Sequence, residues 1–283
     1  MSHPVHKYSS LARPVEPQYP SNLAVIILLP VIAVSLFLWL ALTGADMVDA
    51  GTAALLGMLG AFLSWALGRE MDPDHNATAF IAMALTVLAV ALGYSLDLLS
   101  LAALLFAVRV ISRTVGPPAK IGDLVALVLL SLGAAIVDNA WWIPLLGALA
   151  LVIDEVFERG TLIQRLAIPA LAATGIIIFI SGGYGGFEAL GTLIRGWVVA
   201  VVVITILVAI NIPNTEDIRS NMDVLGSPCD RRRVQLGMAM ILFGGLASLL
   251  GGQAGLTGAL GIWAVLAASL AGRNITLQKS ETA

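Results

Sequence analysis

The chain has 283 residues, of which 59% are hydrophobic and 12% charged, about half the charged share of an ordinary water-soluble domain. That balance excludes a conventional soluble fold, and a formal charge of -3 gives no footing for a nucleic-acid partner. A single cysteine, Cys229, rules out a disulfide within the chain and any zinc cluster built on thiolates.

Residues 1–21 are polar, contain Pro4, Pro14, Pro17 and Pro20, and lack the apolar stretch and small-residue cleavage site of a signal peptide. They read as a cytoplasmic tail, with the first helix retained as an anchor. Apolar runs then recur, separated by Gly, Pro or charge. They predict helices over Leu23 to Thr43, Gly51 to Leu67, Ala77 to Tyr94, Leu96 to Ser112, Ile121 to Val137, Trp141 to Val156, Leu162 to Ile180, Leu190 to Ile212, Val234 to Leu250 and Gly255 to Ala271. A crossing needs roughly 20 apolar residues, so the expected fold is all-α. It is a polytopic transmembrane bundle of about ten helices, forming a single domain over 22–272 with a short tail at 273–283. The closely joined pair around Asp138-Asn139-Ala140 leaves open a re-entrant hairpin over 121–156 in place of two spans.

Lys and Arg are retained on the cytoplasmic side of a membrane, while acidic residues are nearly indifferent. With the N-terminus inside, every Lys and Arg falls on the inside except Arg195. A miscount of helices in the middle would invert the sorting downstream, so the bias supports both the count and two cytoplasmic termini. A prokaryotic plasma membrane is the expected location. Ten helices also divide into possible inverted halves, 22–140 and 141–272, although the two show no convincing similarity. Small residues recur at helical spacing in Ala53/Gly57/Ala61, Gly60/Ser64/Gly68 and Gly237/Gly245. Such stripes let helix backbones approach closely in lipid, within the chain or against partner proteins or pigments.

No ionisable residue lies near the middle of a predicted helix, which argues against a carboxylate-driven pump. Charge gathers at the cytoplasmic ends instead. Arg69-Glu70-Met71-Asp72-Pro73-Asp74-His75 groups three carboxylates with an imidazole, and Asp72 and Asp74 could hold Mg²⁺ together with substrate phosphate. Arg109 and Arg113 share a helix face on the next inside loop and, with Arg69, could take phosphate oxygens bidentately. The same cluster is also what an interfacial loop with orientation-setting charges looks like. Asp154, Glu155 and Glu158 oppose a helix dipole unless a partner such as Arg165 meets them. The loop from Pro213 to Arg233 fits no metal or phosphate motif. On the outer side, the Gly-rich run Ser181 to Glu188 could form a vestibule, Trp141-Trp142 read as interfacial residues, and Arg195 is the preferred single site residue.

Three functions follow. The favoured one is a transporter or permease for a small or amphipathic solute. The second is a non-catalytic subunit packing against proteins or pigments. The third is a membrane enzyme acting on a phosphorylated lipid, the only case that calls for Mg²⁺. Membrane lipids are expected partners in all three.

Overall fold

The structure, a computed structural model, describes residues 8–182, 190–191, 193–215 and 218–281, with side chains as far as Gly272. In chain order the elements are α1 (Pro20–Leu42), α2 (Met47–Met71), α3 (Asn76–Ala91), α4 (Leu98–Ser112), α5 (Ile121–Val137) and α6 (Trp142–Phe157). They continue with α7 (Leu162–Gly182), α8 (Arg195–Asn211), α9 (Arg231–Ser248), a 3-10 turn (Leu249–Gly251), α10 (Gly252–Gly258) and α11 (Leu260–Glu281). Among the described residues the only extended pairing is a bridge between Asn221 and Pro228. Taken as one interrupted helix, the pieces from Arg231 to Gly258 bring the total to ten, as the apolar runs predict.

Local chemistry explains where several helices start and stop. Pro20 opens α1, where its missing N–H is no loss. Asp46 caps α2 by accepting from Val48 N at 3.0 Å, and Asp230 caps α9 by accepting from Arg233 N at 3.1 Å. Gly44 (φ 100°) and Gly93 (φ 88°) turn the chain after α1 and α3 in a conformation that costs a side chain strain.

The helices alternate between two faces. Their ends at residues 8–19, 69–75, 112–120, 157–161, 212–215 and 218–230 are joined by contacts on what we term the basic face, and those near 92–97, 138–141 and 249–258 meet on the opposite face. Both members of the pair over 121–156 run from face to face. Asp123 at the start of α5 binds Ser10 on the basic face, and Asp138 at its end binds Ser100 on the opposite face. Trp142 at the start of α6 lies against Gly251 and Gly255, and Asp154 near its end meets Arg113 and Arg233. The pair is therefore two helices that each reach from one face to the other.

The core centres on α4, in which eleven of 15 residues are buried, whereas α1 buries three of 23 and α8 two of 17. Contacts cross the 140/141 boundary: α4 packs on α6 and α9, and α11 packs on α2 and α3. The small-residue stripes face neighbours in this same chain. A Cβ on Gly68 would come within 2.8 Å of the Ala79 backbone, and one on Gly57 would meet Leu36 and Val90. Small residues here bring α2 onto α1 and α3, which in lipid is how helices gain dispersion contacts.

The peripheral helices turn Ile27, Val34, Ile177, Ile206 and Ile210 outward, each more than half exposed. An apolar belt of that extent would be a liability in water and is what a bilayer requires. Four helices among the described residues are long and apolar enough to cross a membrane: α1, α2, α7 and the interrupted helix Arg231–Gly258. The others with described apolar faces, α3 to α6 and α8, have 15 to 17 residues, about 24 Å at an α-helical rise against a hydrocarbon core of about 30 Å.

Candidate functional site

Two polar constellations stand out, one on each face, and they are built in opposite ways. On the basic face, buried carboxylates are enclosed by arginines. Glu70, in the last turn of α2, is fully buried. It accepts from Arg109 Nε at 3.0 Å, Thr114 Oγ1 at 2.5 Å and Ser112 Oγ at 3.2 Å, with Arg13 at 3.8 Å. Arg109 also donates to the Leu11 carbonyl at 3.1 Å, so the segment ahead of α1 is sewn to α4.

Asp154 of α6 forms the second centre. Arg113 grips it through Nε and Nη2, each at 3.0 Å. Arg233 Nη1 donates at 2.8 Å and Gln164 Nε2 at 3.2 Å. Arg113 holds a left-handed backbone, φ 48°, which costs a side-chain-bearing residue about 1–2 kcal/mol, and its two-point grip on Asp154 supplies the compensation. Arg113 also pairs with Glu158, and Arg165 meets Glu155 at 2.7 Å. These bonds answer the dipole cost of acidic residues at the end of α6.

The residues the sequence nominated for a phosphate and metal site fall into this face as follows. Arg109 and Arg113 sit on separate carboxylates, Glu70 and Asp154. Asp72 meets His75 Nδ1 at 2.9 Å and accepts from Thr78 Oγ1 at 3.0 Å, which ties down the start of α3. Asp74 accepts from the backbone N–H of Arg219 at 3.0 Å and of Ser220 at 2.8 Å, and from Ser220 Oγ at 2.6 Å. Burial alone would raise Asp74, but those hydrogen bonds outweigh it and hold the carboxyl below its usual range. Among the described residues no group of three or more His, Cys, Asp or Glu is arranged to hold a metal ion. Among the described residues Arg69 alone of the nominated basic-face arginines forms no ion pair with a carboxylate; it donates to Asn22 Oδ1 at 3.2 Å and stacks over Trp65.

The long loop after α8, to which the sequence assigned no motif, acts as a cover. Asp223 N and Val224 N bond to the Thr114 and Val115 carbonyls at 3.1 and 3.0 Å, and Ser220 docks on Asp74. Cys229 is buried there, and burial pushes its thiol up to about 11, which leaves it protonated and inert at neutral pH.

The opposite face carries an open pocket of about 570 Å³ bordered by Asp97, Asp138, Trp141, Trp142, Gly255 and Gly258. Its far wall exists because the ninth apolar helix breaks: Gly252 takes φ 64° and ψ −145°, a region open essentially to glycine alone. The expected helix from Gly255 accordingly begins instead as the short α10, and α11 starts at Leu260. Gly255 lies against the Ser248 carbonyl and Gly258 against the Asp97 carboxylate, each so closely that a Cβ would overlap them. Asp138 accepts from Ser100 N and Oγ, both at 2.8 Å, capping α4 from outside the helix. Asp97, by contrast, uses its backbone N–H on the Gly258 carbonyl at 2.9 Å. Among the described residues its carboxylate accepts no hydrogen bond and meets no cation. Burial and the neighbouring Asp138 push it up to about 7, and burial also raises Asp138. Trp141 and Trp142, taken from sequence as interfacial residues, border this pocket and meet edge to face at 6.1 Å between ring centroids.

Arg195 opens α8 and is exposed. The Gly-rich run from Gly183 to Glu188, and with it the expected Glu188–Arg195 pairing, lies outside the described residues, as do the side chains of the 273–283 tail.

An all-helical bundle with an apolar exterior and polar ends defines the class: the chain is built as an integral membrane protein is. Compared with family models, curated proteins and solved structures, it matches none.

Proposed function

We propose that the chain is a permease or transporter in a prokaryotic plasma membrane, with the basic face and both termini cytoplasmic, and that its solute enters at the opposite face. The observation that carries this reading is the pocket at Asp97, where an accessible carboxylate without a partner faces a cavity with two indole rings on its border. A carboxylate beside aromatic faces suits an amine or quaternary ammonium group, so the solute class is a small or amphipathic cation. The break at Gly252 supports the same reading, because it lets irregular backbone, rather than regular helix, form a wall of this cavity at the opposite face. The orientation rests on the basic residues, which favour the cytoplasmic side. Under it, the Glu70 and Asp154 networks close the inner end. The enzyme reading has weaker support: it needs Asp72, Asp74, Arg109 and Arg113 on one phosphate, and each is engaged by a different partner.

Purified protein in liposomes, offered a panel of primary amines, quaternary ammonium ions, neutral solutes and carboxylates, tests the proposal. Uptake of at least one amine-bearing member is expected, rising as pH increases through about 7 while Asp97 ionises and falling by about tenfold or more in Asp97→Asn. If no member of the panel accumulates above protein-free liposomes, or if the variant transports as well as the native chain, the reading is wrong.

A further inference from the structure

The cleft beside Arg69 is a separate site on the basic face. It measures about 350 Å³ and lies between the segment ahead of α1, the start of α1, the end of α2 and the covering loop. Two carboxylates stand on its wall, and neither contacts Arg69: Asp223 pairs with Arg13, and Glu16 accepts from the Gln18 amide at 2.5 Å. The Arg69 guanidinium has five N–H donors, and one of them is used, on Asn22 Oδ1. That bond sets the orientation of the Asn22 amide. Asn22 is only 5% exposed yet lines the cleft, and its amide nitrogen makes no hydrogen bond to any described residue. A buried amide and a planar cation therefore border the same cleft, and apart from the bond that joins them neither makes a hydrogen bond to a described residue there.

We propose that this cleft binds the phosphodiester of an anionic phospholipid. The match is to the arginine fork rather than to net charge, since Asp223 and Glu16 offset Arg13 and Arg69 on this wall: the two free oxygens of a phosphodiester suit the parallel N–H groups of Arg69, with Asn22 donating beside it. The position matches as well. On the other side of Arg69 and Asn22 lies a small recess of about 40 Å³ bordered by Phe62, Trp65 and Leu105 together with Arg13 and Arg109. Alongside it, the first turns of α1 present Leu23, Ile26 and Ile27 to the exterior, each at least 41% exposed, which is the surface acyl chains would cover. A headgroup at Arg69 thus leaves its tails on α1, at the depth where juxtamembrane basic residues meet anionic lipid. The site requires that the protein sit in a membrane and is independent of any solute at Asp97.

Lipid binding to the full chain in detergent, followed by native mass spectrometry and by thermal unfolding, tests it. Phosphatidylglycerol should bind saturably at one site and raise the melting temperature above the value with phosphatidylcholine, whose choline cancels the phosphate charge. Arg69→Gln should weaken that binding by about tenfold or more. So should Asn22→Asp, which preserves volume and gives Arg69 an internal carboxylate. Because that variant adds an ion pair, it should fold at least as stably as the native chain without lipid, separating lost binding from lost structure. Arg232→Gln, an exposed arginine on the same face, should bind phosphatidylglycerol like the native chain. The proposal is overturned if Arg232→Gln loses as much affinity as Arg69→Gln, which would make the effect general charge. It is overturned equally if Asn22→Asp binds normally, or if inorganic phosphate protects at the same concentrations as the lipid.

Discussion

The two faces handle carboxylates in contrary ways. On the basic face Glu70 and Asp154 are almost wholly withdrawn from solvent, and each is held by two arginines. On the opposite face Asp97 and Asp138 act on one another, and among the described residues no arginine or lysine pairs with either. Withdrawing a charge from water costs several kcal/mol unless it is paired and fully hydrogen-bonded. The first face meets that requirement internally and becomes a lock joining α2, α4, α6 and α9. The second does not, and retains a charge with capacity for something from outside.

The largest effect expected from this contrast is on the lock. Asp154→Ala leaves Arg233 buried without its carboxylate and Arg113 with Glu158 alone, and should cost about 3–5 kcal/mol, seen as loss of monodisperse protein or a large fall in melting temperature in detergent. An Asp154→Ala protein that melts with the native chain would mean the network contributes nothing to the fold. Next comes the pocket wall. Gly255→Ala sets a methyl against the Ser248 carbonyl and should cost about 1–3 kcal/mol, with solute uptake falling in parallel because α10 must shift.

A smaller effect, of opposite sign, is expected at the pocket carboxylate. Asp97 is raised from 3.8 to about 7, so the folded protein binds a proton there that the unfolded chain has already released. Stability therefore declines as pH rises from the ordinary carboxylate range through about 7. Asp97→Asn removes that penalty. It should melt like the native chain at acid pH and above it at pH higher than about 7, by about 1 kcal/mol because partial exposure screens the charge. An Asn variant less stable than the native chain at alkaline pH would show that Asp97 is a structural partner rather than an available charge.

The clamp at Asp74 gives the opposite pH response. Its carboxyl is held low, so its contribution is present above the usual carboxylate range and is lost as pH falls through the lowered folded value. Asp74→Asn should loosen the covering loop by about 1 kcal/mol, read as faster hydrogen exchange at the Arg219 and Ser220 amides with the bundle amides unchanged. The smallest effect is expected at Arg195. As an exposed residue at the start of α8, its replacement by Ala should move stability by no more than about 0.5 kcal/mol. A larger change would point to a partner on the opposite face.

The extents of most predicted helices were legible because an apolar run and its terminating Gly, Pro or charge are both local signals; observed ends fall within a few residues for α4, α5 and α6, whereas α8 starts at Arg195 and not at Leu190. The tenth was misplaced because Gly252 and Gly255 read as ordinary small residues, and only the neighbouring Ser248 carbonyl and Trp142 ring reveal why the chain must break there. The basic cluster was legible as a location and not as a circuit. Arg109 and Arg113 share a helix face in sequence, yet their carboxylates come from Glu70 and Asp154, 39 and 41 positions away. Asp97 and Asp138 were passed over, since each sits alone between two helices until α4 and α5 bring them side by side.

Sequence alone determined that this chain is all-helical, apolar enough for a membrane and charged chiefly at one set of helix ends, because each of those properties is a sum over near neighbours. Which arginine answers which carboxylate, which acid is left without an answer, and where a helix must break were decided only by the tertiary structure. Those outcomes depend on distances of a few ångströms between residues far apart in the chain, and at that range a single bond determines whether a buried charge is a lock or a site.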